Sequence, residues 1–449
     1  MRFVIIGGDA AGMSAASRVK RNNPEIEVIV LEQGQDVSYS ACNIPYNIAD
    51  PERKIDDLVV RSAAAFREKQ QIDLRTGHRV DRIDRAARTV DGTTTEGTPF
   101  SVAYDQLLIA TGARPIRPRI DGIDLPGVFV VKNLEDGRRI KNFLASHQVR
   151  RTVIIGMGYI ALEMAEALSG RDIRVEMIKP RKGLLPWLDP ALSHHVRQHL
   201  EDHGVTLCDG RPIERITLDG GHLQVVSTQL HLDCDMVVVA TGVQANAEIA
   251  RDAGLALSVG GSISVDHFLR TSDPAIFAAG DCADSYHLVT GEKTWIPLAL
   301  RANRAGWAVA DTVCGKPMWL PGVAGTTVFK AFSMQVARSG LSMPEAVKAG
   351  FDPVSIQITS NSRAGIYPGA QPVHVSMVGD RSTGLLLGAQ MVGTDQVAHR
   401  INAVAVALQA RMSVAGFCQS DLAYAPPFGP TWDPLLVAAN QLVKKLASA

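Results

Sequence analysis

Two segments of this chain follow one plan: an apolar strand, a glycine turn, a helix and a second strand. The first runs from Arg2 to Gly12, with its helix to about Asn22 and a strand at Ile26–Leu31. The second occupies Thr152–Ala161, with its helix to about Leu168 and a strand at Ile173–Ile178. Each has the size of a βαβ unit, roughly thirty residues. A glycine turn that opens a helix offers free N–H groups to a pyrophosphate. Two such units about 150 residues apart predict two dinucleotide sites in one polypeptide.

Two more apolar strands, Tyr104–Ala110 and Met236–Ala240, each run into Thr-Gly (Thr111-Gly112 and Thr241-Gly242), as if closing one region before the chain crosses to the other. After about Gly325 strand-like Val354–Thr359 and Leu385–Val392 precede a long apolar helix at Gln396–Ala410. At 449 residues the chain exceeds a single core. The expected fold is α/β, with two Rossmann-like dinucleotide-binding domains and an α+β C-terminal domain. The expected divisions are 1–112 with 243–324, then 113–242, then 325–449.

Charge is balanced, 46 basic against 46 acidic residues, so neither nucleic acid nor an anionic membrane is an expected partner. Apolar runs are strand-length, and Met1–Gly7 reads directly as a buried strand. Export is therefore not expected, and a reducing cytoplasmic setting is. The six cysteines, at 42, 208, 234, 282, 314 and 418, form no CxxC pair and no metal-ligand spacing with histidines. No metal site is expected, and a cysteine that works chemically must work alone.

In Gly7-Gly8-Asp9-Ala10-Ala11-Gly12, Gly7 permits the tight turn and Gly12 close helix–strand packing. Asp9 stands where the usual fingerprint has its middle glycine. Glu32, twenty residues after Gly12, is placed to accept from a ribose hydroxyl. Gly280-Asp281 ends a further apolar strand and puts a carboxylate where open α/β sheets bind ligands. The second fingerprint, Gly156-Met157-Gly158-Tyr159-Ile160-Ala161, is cleaner. The strand after it ends in Lys179-Pro180-Arg181 rather than in an acid, so two cations favour NADPH over NADH.

Cys42 lies in Ser38-Tyr39-Ser40-Ala41-Cys42-Asn43-Ile44-Pro45-Tyr46. Pro45 suits the first turn of a helix. Cys42 is then expected at a helix N-terminus, where the dipole lowers a thiol pKa.

GGxAAG at the start, ATG in the middle and AxGD near residue 280 resemble the two-dinucleotide-fold flavoprotein disulfide reductases. That resemblance implies FAD on Gly7, Gly8, Ala11, Gly12, Thr111 and Gly112, with Glu32 on the adenosine ribose and Asp281 on the ribitol. It implies NAD(P)H on Gly156, Gly158, Lys179, Arg181 and Gly242, with Tyr159 covering the flavin and Glu163 near the nicotinamide. One cysteine in place of CxxxxC is similar to the single-cysteine group. This group contains coenzyme A-disulfide reductases, sulfur, polysulfide and persulfide reductases, and NADH oxidases and peroxidases. Ala10 replaces the histidine of the oxygen- and peroxide-reducing members, which counts against their chemistry.

Ala423–Phe428 and Trp432-Asp433-Pro434 resemble the tail of the coenzyme A-disulfide reductases. By that likeness the third domain dimerises, and Tyr424 and Tyr367 reach the cysteine of a second copy. Arg18, Lys20 and Arg21, with Ser38, Asn303 and Arg304, fall where that group binds coenzyme A, carried in turnover as a mixed disulfide on Cys42. The implied function is an FAD-dependent NAD(P)H oxidoreductase that reduces coenzyme A disulfide. The alternatives are persulfide or polysulfide reduction, and a flavin redox sensor that signals a partner.

Overall fold

The computed structural model describes residues 1–447; Ser448 and Ala449, the end of the expected third region, lie outside it. Its first sheet is parallel, in the order Ile276–Ala278, Gln106–Ile109, Arg2–Ile6, Glu27–Leu31, Asp73–Arg75. Helices cover such a sheet on both faces, so its strands are apolar throughout rather than alternating. Phe3, Val4 and Ile5 are fully buried. Helix Ala10–Asn22 packs along helix Ala299–Val313. Glycine makes that approach possible: a Cβ at Gly306 would lie 2.3 Å from the Ala11 carbonyl oxygen.

The second sheet repeats the design in the order Thr206–Asp209, Arg174–Lys179, Arg151–Ile155, Met236–Val239, Val128–Val130. Each parallel sheet is accompanied by a three-stranded antiparallel one, His78–Asp84 to Pro99–Ala103 and Ile213–Asp219 to Leu230–Cys234. A two-stranded ribbon, Ala113–Pro115 against Val243–Ala245, joins the strands that leave the two Thr-Gly turns.

The third sheet is antiparallel, in the order Thr327–Ala331, Met334–Gly340, Leu386–Gly393, Pro372–Asp380, Pro353–Asn361. Its apolar face packs on helices Ile401–Gln409, Val414–Cys418 and Pro434–Ala447. The helix expected from Gln396 starts at Ile401. Gln396 takes a left-handed φ of 59°, and the Val397 and Ala398 amides donate to the Gln335 side chain instead. The closing helix was not foreseen. It begins at Pro434, with the Leu435 amide bonded to the Asp433 carboxylate at 2.9 Å, the usual opening of a helix.

Candidate active site

Two glycines of the first turn have no room for a side chain. Gly7 has φ 113°, and a Cβ there would lie 2.3 Å from the Ala110 carbonyl oxygen; a Cβ at Gly12 would lie 1.9 Å from that of Gly7. Glu32 braces the turn by accepting from the Gly8 and Gly34 amides, each at 2.7 Å. A carboxylate has about four acceptor positions, so ribose contact remains open to it. Asp9 begins helix Ala10–Asn22 in an extended conformation without a side-chain cap bond. Burial raises its carboxyl from the usual 3.8 to about 6; the Tyr39 amide and Lys132 act against that rise, while Glu32 and Asp281 add to it.

The second turn uses the same steric device. Gly156 has φ 122°, and its Cβ would lie 2.2 Å from the Ala240 carbonyl oxygen. Ala161 is fully buried at the last fingerprint position. Gly158 differs, because nothing stands within 4 Å of a Cβ built there. Packing does not require glycine at that point, whereas close approach of a ligand's phosphates does. The helix that starts at Tyr159 likewise has no side-chain cap, which leaves its first amides open. These features fit a dinucleotide. Lys179 donates to the Gly183 carbonyl at 2.7 Å, which uses one of its three ammonium donors. Arg181 is exposed.

One cavity of about 2500 Å³ takes in the first turn and reaches Tyr159 and Ile160, just behind the second. It is lined by Gly7, Gly8, Ala11, Glu32, Thr111, Gly112 and Asp281. The same cavity takes in Cys42, Tyr159, Glu163, Ser38, Asn303, Arg18 and Arg21. Gly12, Gly156, Gly158, Lys179, Arg181, Gly242, Tyr367 and Tyr424 are not on its wall. Cys42 is the one cysteine on that wall among the described residues.

The helix-dipole expectation for Cys42 is not met. The cysteine occupies a 3-10 turn, Ala41–Asn43, ahead of a six-residue helix, Ile44–Ala49. The protein atoms around it raise its thiol pKa, Glu163 adds to the rise, and Lys132 opposes it. The basic cluster also changes meaning. Arg18 is held by Asp311 through two hydrogen bonds of 2.7 and 2.8 Å, and Asn22 donates to the same carboxylate at 2.7 Å. Lys20 donates to the Pro24 and Ile26 carbonyls. Arg21 is exposed and has no acidic partner among the described residues.

Three contacts at or beside the cavity had no signal in the sequence. Lys132 reaches Asp281 at 3.2 Å. The buried Arg301 donates to the carbonyls of Gly280, Ala283 and Asp284 and fixes the turn that carries Asp281. Tyr46 donates to Glu163 at 3.0 Å; its place beside Pro45 was visible, its partner was not. The two tail tyrosines come from neighbouring segments. The Ala364 amide donates to the Pro426 carbonyl at 3.1 Å, and Arg400 bonds the carbonyls of Ser362 and Phe428, each at 3.0 Å. Tyr367 and Tyr424 are 37% and 50% exposed, and neither lines the cavity within one chain.

Residues 1–306 match the family model for pyridine nucleotide-disulphide oxidoreductases, and residues 326–434 match that for the dimerisation domain of the same family. A coenzyme A-dependent NAD(P)H sulfur oxidoreductase of Pyrococcus furiosus is 36% identical over 450 residues, covering 98% of this chain and 99% of that one. An NAD-dependent persulfide reductase of A. fulgidus superposes with a TM-score of 0.96 at 35% identity, over 100% of this chain and 84% of the other. Reduced CoADR-RHD of Bacillus anthracis gives the same TM-score at 31% identity, over 100% and 81%. No helix among the described residues is long and apolar enough to cross a membrane. The chain belongs to the pyridine nucleotide-disulphide oxidoreductase family, as an oxidoreductase whose cofactors are FAD and NAD(P)H.

Proposed function

We propose that this protein reduces coenzyme A disulfide with NADPH through a single redox cysteine, Cys42. The observation that carries this reading is the placement of Cys42. It is the one cysteine, among the described residues, on a cavity that also takes in the first glycine turn, Tyr159 and Ile160 at the start of the helix behind the second turn, Arg21 and Asn303. In the proposed placement Gly7, Gly8 and Glu32 hold the adenosine half of FAD, and Asp281, fixed by Arg301 and Lys132, holds the ribitol. The helix from Tyr159 to Ser169 receives the nicotinamide nucleotide, with Arg181 as the cation for a 2′-phosphate. Bound FAD supplies a two-electron relay between nucleotide and sulfur.

Cys42 does the sulfur chemistry. Its thiolate attacks one sulfur of coenzyme A disulfide; a Cys42–S–S–coenzyme A bond forms and a coenzyme A thiolate leaves. The mixed disulfide would take two electrons, originating from NADPH and supplied by bound FAD, and its cleavage returns the Cys42 thiolate and a second coenzyme A thiolate. In sum, one disulfide, one NADPH and one proton yield two coenzyme A thiols and NADP⁺. Tyr424 and Tyr367 of a second copy stabilise the departing thiolate. Their exposure, and that of Ile366, Phe428 and Trp432 beside them in sequence, supports a homodimer. The absence of paired cysteines supports a reducing cytoplasmic setting.

The likeness to coenzyme A-dependent sulfur and persulfide reductases favours a second reading, in which coenzyme A persulfide is cleaved at the same cysteine to coenzyme A and hydrogen sulfide. Anaerobic NADPH oxidation with equal concentrations of the two substrates separates these readings. Cys42→Ser removes turnover of both while FAD stays bound. A Cys42→Ser enzyme with wild-type disulfide reduction would overturn the assignment.

A further inference from the structure

We propose that Trp307 is the platform on which the adenine ring of coenzyme A stacks, with the guanidinium of Arg18 backing its other face. The inference rests on the substrate proposed above, and names a residue that tells coenzyme A from smaller thiols.

Trp307 stands on helix Ala299–Val313 and lines the same cavity as Cys42, yet it is 43% exposed. Tryptophan is highly buried on average; here its neighbours Gly306 and Ala308 take the buried positions. Gly306 fixes the backbone beneath the ring, because the Ala11 carbonyl of helix Ala10–Asn22 lies too close there for any side chain. Arg18, on that same helix, holds its guanidinium over the Trp307 ring, 5.5 Å from the centroid. The guanidinium is itself held by two hydrogen bonds to the buried Asp311 carboxylate. Asp311, Arg18 and Trp307 thus form a braced stack that ends in an open aromatic surface.

Two cations flank the ring. Arg304 is three positions before Trp307 on one helix, and Arg21 is three beyond Arg18 on the other; residues three apart are neighbours on a helix surface. Both are exposed and line the cavity, and neither has an acidic partner among the described residues. An aromatic plane between two unpaired guanidinium groups matches a nucleotide, a flat base that carries phosphates. An apolar occupant strips water from both cations and returns no anion.

The first helix also sets the route to the sulfur. The Ser38 amide donates to the Gly8 carbonyl at 3.1 Å, two residues ahead of helix Ala10–Asn22, and Cys42 follows four residues after Ser38. A helix rises about 1.5 Å per residue, which puts Arg18 about 12 Å along the axis from Ala10. Coenzyme A carries its thiol and its base at opposite ends of an extended pantetheine arm. With the sulfur at Cys42, the arm runs along this helix and delivers the base to Trp307.

The test compares coenzyme A disulfide with pantethine, which has the same arm and disulfide and no adenine nucleotide. Trp307→Ala lowers kcat/KM for coenzyme A disulfide about tenfold relative to that for pantethine, with the loss in KM. Trp307→Phe keeps a ring and recovers most of that ratio. A merely structural loss lowers both substrates together and leaves the ratio in place. Calorimetric titration of the FAD-loaded enzyme with coenzyme A reads the same loss of affinity without turnover. If coenzyme A disulfide is turned over and the ratio and the affinity stay put in Trp307→Ala, the inference alone fails. If coenzyme A binds, loses affinity in Trp307→Ala and its disulfide is not reduced, the functional reading fails and the inference holds. A wild-type enzyme that binds no coenzyme A overturns both.

Discussion

Replacing Asp9 by asparagine isolates a charge that this chain carries where a glycine fingerprint has no side chain. Burial raises the Asp9 carboxyl from 3.8 to about 6. The folded-state value lies above the unfolded one, so the folded protein binds this proton more tightly. The associated stability is fully present below about pH 4 and is lost as pH rises through about 6. A rise of about two units corresponds to about 3 kcal/mol between the two protonation states. Above pH 7 the wild-type apoprotein bears that penalty in full. Asparagine keeps an acceptor for the Tyr39 amide and cannot ionise. Urea unfolding of the apoprotein, followed by tryptophan fluorescence, should show Asp9→Asn more stable by about 2–3 kcal/mol at pH 8. The two proteins should converge at pH 4. A difference that does not change with pH, or a less stable variant at pH 8, refutes the claim that burial dominates this carboxyl.

Gly156→Ala forces a Cβ to within 2.2 Å of the Ala240 carbonyl at φ 122°, a strain of about 1–3 kcal/mol. The variant should retain FAD and lose nicotinamide nucleotide binding, as read by absorbance titration of the nucleotide. Arg18 and Arg21 should separate cleanly. Arg18→Ala leaves the buried Asp311 carboxylate with Asn22 alone and costs about 2–3 kcal/mol of stability in a thermal melt. Arg21→Ala should leave the melt unchanged and raise KM for coenzyme A disulfide severalfold without changing kcat.

The glycine turns were legible in the sequence because their constraints are local. Gly12 packs against Gly7, five positions away, and helix Ala10–Asn22 follows from the same few residues. The site's polar contacts are long-range and left no such trace. Tyr46 and Glu163 are 117 positions apart, Lys132 and Asp281 are 149 apart. The sequence shows Arg18 only as part of a basic cluster expected at coenzyme A; Asp311, 293 positions away, arrives only when helix Ala299–Val313 packs alongside. The lowered thiol pKa expected at Cys42 is absent for a related reason. Pro45 does mark a helix start, but that helix is six residues long. A dipole contributes about 0.3–1 kcal/mol at an exposed helix end. The protein atoms around the exposed sulfur and the Glu163 charge raise the thiol pKa, and neither is visible in the residues around Cys42.

The two turns also show how one steric device can be set to two cofactors. Ile6 pairs with Leu31, and Ile155 with Ile178, so Glu32 and Lys179 occupy equivalent positions one residue beyond the last pair. The Gly7 amide bonds the Leu31 carbonyl at 2.9 Å, and the Gly156 amide bonds that of Ile178 at the same distance. The backbones therefore impose the same approach on a pyrophosphate. The side chains differ at the middle of the turn, Asp9 in the first and Gly158 in the second, and at the strand end. Glu32 folds back onto the Gly8 amide and presents an acid at the turn. Lys179 is drawn forward to Gly183, which leaves no acid at that point and Arg181 exposed two residues on. An acid there repels a 2′-phosphate and an arginine attracts one. On the proposed placement the choice between the two dinucleotides thus rests on charge at the strand end, an acid in the first unit and cations in the second, together with Asp9 in the first cradle where the second has Gly158.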